Sequence, residues 1–195
     1  MGAKYLVIKE KIKKFKKKIK VDGDKSISIR SLLLASQAIG VSQAKNLLKS
    51  EDVFSAIKCL RTLGIKIIFK NNTCFIKGRG INGFKFKKNI TLNAGNSGTV
   101  GRLILPLIIK SPYRIKIIGD RSLSRRDFSR VTQPLNNIGI NFFPTKKKNL
   151  PIYLQGSNFL RPIKYIERLG SAQCKTCIML ACLNTPGEIE ILAKK

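Results

Sequence analysis

Cys59-Leu-Arg-Thr-Leu-Gly-Ile-Lys-Ile and Pro134-Leu-Asn-Asn-Ile-Gly-Ile-Asn-Phe are two copies of one pattern: the end of an amphipathic helix, a glycine, then an alternating strand. Gly64 and Gly139 stand where a residue without a Cβ can take the left-handed conformation that closes a helix. A polar turn follows each copy (Asn71-Asn72, then residues 146–149). A second strand comes next (residues 73–77, then 151–155) and ends at Gly78 or Gly156. The offset of about 75 residues exceeds solenoid periods and fits a duplicated supersecondary unit.

The other half of the unit recurs as well. Hydroxyl-rich turns open helices at Lys25-Ser26-Ile27-Ser28, Asn96-Ser97-Gly98-Thr99 and Gly170-Ser171-Ala172-Gln173. Each leads into a strongly apolar helix, over residues 32–39, 103–109 and 177–183. The unit reads strand, helix, strand, helix, strand, strand, which predicts an α/β (α+β) fold. Two copies are nearly complete and the third stops soon after its first helix, as in a fragment. Residues 1–20 stand apart. Their lysines, mixed with Ile and Phe, predict a strand with a solvated lysine face.

Composition narrows the function. The chain has 39 Lys+Arg against 10 Asp+Glu, a net charge of +29. Such a charge admits nucleic acid as a partner. The lysines are dispersed among Ile and Asn, however, and the aromatic signatures of single-strand readers are missing. Compositional bias together with anionic small-molecule substrates is the preferred reading. Hydrophobic residues make up 43%, which suits a globular core. No apolar run nears the roughly 20 residues of a membrane helix, and no signal peptide is recognisable, so a cytoplasmic location is expected. With no histidine, Ser-His and Cys-His nucleophiles are excluded, and acid–base work falls to Lys, Asp, Glu or Tyr. Five scattered cysteines predict neither a disulfide framework nor a metal site; Cys174 and Cys177 read as small core residues.

Helix N-termini attract anions through unpaired backbone N–H groups and the helix dipole. If the three openings converge, they form a polyanion site made largely of backbone. Lys25, Arg30 and Arg102 accompany them, and residues 119–127 add Arg121, Arg125 and Arg126. Ser50-Glu51-Asp52 reads as a helix N-cap with an acidic first turn, or as a source of a carboxylate that orients a basic residue of the site.

Four ordered segments resemble the enolpyruvyl transferase family, on its shikimate 3-phosphate branch. They are Gly23-Asp-Lys-Ser-Ile-Ser-Ile-Arg-Ser-Leu-Leu-Leu-Ala, Leu92-Asn-Ala-Gly-Asn-Ser-Gly-Thr-Val-Gly-Arg, residues 119–135, and Gly170-Ser-Ala-Gln-Cys-Lys-Thr. The resemblance implies an inside-out α/β barrel domain of repeated β-α-β-α-β-β units, incomplete in its third unit. Residues 21–195 would be this first domain, and residues 1–20 a strand belonging to a second. It implies transfer of the enolpyruvyl group of phosphoenolpyruvate to the 5-hydroxyl of shikimate 3-phosphate, with release of phosphate, in aromatic amino acid biosynthesis. No metal or organic cofactor is implied, and a monomer is implied at full length.

By the same resemblance Lys25 is the catalytic residue and touches both substrates. Ser26, Arg30, Ser171, Ala172 and Gln173 hold shikimate 3-phosphate, while Gly98, Arg126 and Gln173 face phosphoenolpyruvate. Asp52, Asn96 and Thr99 support the site. Glyphosate would compete with phosphoenolpyruvate, and Gly98 would leave room for it. Two positions depart from the family pattern: Ile29 replaces a polar residue, and Asp127 follows Arg126 where a proline is common. The fragment is expected to be inactive alone. Two rivals remain: a UDP-N-acetylglucosamine enolpyruvyl transferase, disfavoured by the Lys25-Ser26-x-Ser28 turn, and a non-catalytic basic protein that binds RNA.

Overall fold

The computed structural model describes residues 7, 9, 14, 16, 18, 19, 21–168 and 170–193. The strand expected within residues 1–20 falls mostly outside the described residues. Those that are described there, Lys18 and Ile19 among them, carry no regular secondary structure.

The first unit consists of α1 (Lys25–Gln37), β1 (Ile39–Lys45), α2 (Glu51–Thr62), β2 (Lys66–Lys70) and β3 (Thr73–Arg79). The second consists of β4 (Thr91–Asn93), α3 (Gly98–Leu103), β5 (Ile115–Ile118), α4 (Ser129–Ile138), β6 (Asn141–Phe143) and β7 (Ile152–Gln155). A third begins with β8 (Lys164–Glu167), α5 (Ala172–Cys182) and β9 (Glu190–Ala193). The sheets are ordered β1-β3-β2, β4-β5-β7-β6 and β8-β9. β4 runs parallel to β5, and β8 parallel to β9, each pair joined across a helix as a β-α-β crossover requires. The β1–β3, β2–β3, β5–β7 and β6–β7 pairs are antiparallel. Among the described residues no strand lies on the outer edge of β1, where Ile39 is 94% exposed.

The helices pack on one another: α1 against α2 and α3, and α5 against α3 and α4. Their fully buried side chains include Ile29, Leu32 and Leu33 of α1, Val100 and Leu103 of α3, and Cys177 and Ile178 of α5. The sheets cover them with one face, turning in Cys74 and Ile76, Ile115 and Ile117, and Ile152 and Leu154. Period-2 alternation in the strands and apolar faces on the helices thus feed one continuous core.

The apolar stretch 103–109 departs from the expected helix. α3 ends at Leu103, and the chain tightens into a 3₁₀ turn over Leu105–Ile108. Pro106 has no N–H to extend an α-helical ladder. Asn71 and Asn72 form the two-residue β2–β3 loop, with φ of 46° and 60°, the geometry that matches strand twist in a tight hairpin.

Both repeat glycines take positive φ, +86° at Gly64 and +117° at Gly139. Their surroundings differ. A Cβ at Gly139 would lie 2.7 Å from the backbone oxygen of Phe159, whereas at Gly64 it would meet the Lys85 Cβ at 2.9 Å. Gly139→Ala is therefore expected to cost about 2–3 kcal/mol of stability and Gly64→Ala, with its slightly longer contact, about 1–2 kcal/mol. Urea denaturation of the two variants checks the order; equal losses would contradict it.

Candidate anion-binding site

Three helices open on side-chain caps. Asp24 Oδ1 accepts from the Ile27 N–H at 2.7 Å, Ser97 Oγ from Val100 at 3.3 Å, and Ser171 Oγ from Cys174 at 3.3 Å. Each cap engages one first-turn donor, and the remaining first-turn N–H groups have no partner within their helix. The N-termini of α1, α2, α3 and α5 meet at one pocket of about 370 Å³. Lys25 and Ser26 of α1, Asp52 of α2, Asn96, Gly98 and Thr99 at α3, Gln173 of α5, and Arg126 line it. A larger groove of about 580 Å³ lies between α2 and β4, around Phe54, Ile57 and Cys59; among these helices, only α2 contributes residues to its wall.

Lys25 Nζ lies 3.0 Å from Asp52 Oδ2, with side chains 51% and 19% exposed. A pair this open adds little stability; its effect is to hold the ammonium over the pocket. Asp52 belongs to the acidic first turn of α2, as the sequence suggested, and it also orients a lysine. Ser50 is the N-cap by position, but its side chain makes no capping bond, and its buried Oγ has no hydrogen-bond partner.

Polar contacts tie the other walls together. Gln173 Nε2 donates to Thr99 Oγ1 at 3.0 Å, and Arg102 Nη1 donates to Gln173 Oε1 at 3.0 Å. Arg126 Nη2 donates to Asn96 Oδ1 at 3.1 Å. Arg30 is not on the pocket wall; it reaches back along α1 to the Ser26 carbonyl at 3.4 Å. Ser171 and Ala172 also stand off the wall, although they flank Gln173. Ser171 caps α5 and donates its N–H to Glu167 Oε2 at 3.0 Å. Arg121 and Arg125 are exposed and do not line the pocket.

Each departure from the family pattern has a structural outcome. Ile29 is fully buried, so its side chain adds to the core in place of a polar contact. Asp127 neither holds nor opposes Arg126 by an ion pair. Its Oδ1 accepts from the Ser129 N–H at 2.6 Å at the start of α4. Hydrogen bonding from Ser129, mainly its side chain, holds this exposed carboxyl below the usual carboxylate range.

Sequence reasoning missed Asp24 as the α1 cap, although Asp directly before a helix is the usual signal. It also grouped Arg102 with the anion ligands, whereas Arg102 lies behind the pocket wall. Burial pushes the Cys59 thiol up to about 12 and raises that of Cys177. All the cysteines are free, and Cys174 and Cys177 are core residues, as expected. Among the described residues there is no cluster of three or more metal-ligating side chains, and no helix is long and apolar enough to cross a membrane.

The sequence model of a family described as EPSP synthase (3-phosphoshikimate 1-carboxyvinyltransferase) matches residues 9–194. A 3-phosphoshikimate 1-carboxyvinyltransferase from Streptococcus pyogenes serotype M4 (strain MGAS10750) is 42% identical over 178 residues, covering 91% of this chain and 42% of that protein. The serotype M1 protein of the same name is also 42% identical, covering 91% of this chain and 41% of its own length. A solved EPSP synthase from Acinetobacter baumannii superposes with a TM-score of 0.84 at 32% identity, over 91% of this chain and 40% of that one. This chain thus spans about two fifths of the length of the relatives it matches.

Proposed function

The chain belongs to the EPSP synthase family, and from that membership we propose that it supplies one face of a site for enolpyruvyl transfer from phosphoenolpyruvate to shikimate 3-phosphate. In net terms the 5-hydroxyl oxygen of shikimate 3-phosphate bonds to carbon 2 of phosphoenolpyruvate, and the C–O bond to phosphate breaks. The phosphate leaves with its bridging oxygen and takes up the hydroxyl proton, as inorganic phosphate. Both substrates are anions, so the protein's first task is to hold negative charge at a defined spacing.

The observation that carries this reading is the convergence of four helix N-termini on a pocket lined by Lys25, Ser26, Gly98, Thr99, Arg126 and Gln173. Backbone N–H groups and hydroxyls suit the phosphate of shikimate 3-phosphate. Lys25, oriented by Asp52 at 3.0 Å, serves as the group that touches both substrates. Arg126, steadied by Asn96, suits the carboxylate or phosphate of phosphoenolpyruvate. Arg30, Ser171 and Ala172 lie one step outside the wall and serve shikimate 3-phosphate if the pocket tightens on it.

Among the described residues Asp52 is the only carboxylate on the pocket, and Lys25 already engages it. A second proton-handling group must therefore come from residues beyond this pocket. The 195-residue chain is expected to bind shikimate 3-phosphate in titration calorimetry but to release no phosphate when phosphoenolpyruvate is added. Release is expected once the family's remaining length is supplied as a second polypeptide. Saturable turnover by the chain alone would refute this division. Salt-sensitive retention of polynucleotide at physiological ionic strength, with no affinity for shikimate 3-phosphate, would favour an RNA-binding protein instead.

A further inference from the structure

Thr99 and Arg102 are three residues apart on α3 and share one side of the helix. Gln173, at the start of α5, sets its amide between them. We propose that Arg102 is a positioning residue that fixes the amide of Gln173 so that an N–H, and not the carbonyl oxygen, is presented to the pocket. The proposal rests on the reading of the pocket as an anion site.

Donor and acceptor chemistry sets the direction. A guanidinium only donates. Gln173 Oε1 must therefore face Arg102 Nη1, at 3.0 Å, and the reversed amide would set two donors against each other. Nε2 is thereby turned towards Thr99 Oγ1, also at 3.0 Å. Nε2 carries two hydrogens and Thr99 engages one, so the other is available to the pocket that Gln173 lines. Phosphate and carboxylate oxygens accept only, so an amide turned the other way would repel them.

Arg102 is itself braced from behind. Nη2 donates to the Asp127 carbonyl at 3.1 Å, and the guanidinium lies 5.0 Å from the centroid of the buried Phe128 ring. The backbone carbonyl of Arg102 accepts from Cys177 Sγ at 3.5 Å, which ties α3 to α5. Partners on three sides leave the side chain little freedom, and it is not part of the pocket wall. Asp127 joins this arrangement through its main chain, while its side chain starts α4.

Two readouts test the proposal in the 195-residue chain. In NMR spectra without ligand, Arg102→Met should move the Gln173 side-chain amide resonances towards free-glutamine positions and speed their exchange. Arg102→Lys, which keeps the charge but not the fork, should shift them part of the way. The backbone resonances of Cys177 and Ile178 report that the core is intact. Unchanged Gln173 resonances in folded Arg102→Met or Arg102→Lys would overturn the proposal. In shikimate 3-phosphate titrations, Arg102→Met and Gln173→Ala should each weaken binding about tenfold, and the double variant no more than Gln173→Ala alone. Independent losses multiplying to about a hundredfold would mean that Arg102 contacts the ligand directly, which also overturns it. If the wild-type chain binds no shikimate 3-phosphate, the functional reading fails, and the ligand-free spectra still decide the role of Arg102.

Discussion

Lys25→Met is expected to weaken shikimate 3-phosphate binding by about 10- to 100-fold while leaving the fold intact. Lys25 is the first residue of α1 and its side chain is half exposed, so no core packing depends on it. Its ion pair with Asp52, at 3.0 Å, contributes about 0–1 kcal/mol to stability. In the proposed site the same ammonium is a charged donor for a bound anion, and hydrogen bonds to charged groups contribute about 1.5–3 kcal/mol. Stability and binding should therefore separate, with a small change in melting temperature and a large change in Kd. Asp52→Asn should cost less, about 3- to 10-fold, because the cation stays and only its orientation loosens. Calorimetry on the three proteins decides; an unchanged Kd for Lys25→Met would remove it from the site.

Gly98→Ala should weaken both phosphoenolpyruvate and glyphosate by displacing an arginine, with the larger loss for glyphosate because the methyl also takes space left for the inhibitor. Gly98 opens α3, and no positive φ restricts it, so the backbone accepts alanine. The obstacle is side-chain crowding. A Cβ would lie 2.9 Å from Arg102 Nη1 and 3.1 Å from Arg126 Nη1. Arg102 is held by its partners and yields little, so the crowding falls on Arg126, the proposed phosphoenolpyruvate ligand, and harms binding. From sequence, the methyl was expected to act through the space left for the inhibitor; the geometry sets it first against the two guanidinium groups. The expected cost is about 1–3 kcal/mol, or about 5- to 150-fold in affinity. Arg126→Ala should reduce both affinities equally, because it removes a charged donor common to both. The check is the affinity for each ligand, with shikimate 3-phosphate present, in both variants. Equal shifts in Gly98→Ala would mean that only the arginine displacement matters.

The repeat made most of the fold legible. Gly64 and Gly139 marked helix ends because few residues other than glycine tolerate their φ, and Asn71-Asn72 marked a hairpin for a related reason. The alternation after each glycine gave the inward-facing Ile67 of β2 and Phe142 of β6, and residues 73–77 and 151–155 marked the second strands, β3 and β7. The break after Leu103 was obscured by hydrophobicity alone: residues 103–109 are buried throughout, so burial carries no period, and only Pro106 signalled the change.

The site was legible where residue type and helix position coincide, as at Lys25, Ser26, Gly98 and Thr99. It was not legible where the function depends on what a side chain faces. Arg102 and Arg126 are equally basic in the sequence, yet one braces the wall and the other forms it. Asp127 adjoins Arg126 in the sequence, but its side chain accepts from the Ser129 amide, so local geometry decided.

The central claim is that separate helix N-termini act together on one phosphorylated ligand. Backbone amide shifts on titration with shikimate 3-phosphate test it most directly. The account predicts that the amides of Ser26, Gly98, Thr99 and Gln173 shift together along a single saturation curve, with the lysine-bearing strands β2 and β3 unaffected. Shifts confined to one helix, or spread over the surface lysines without saturation, would contradict it.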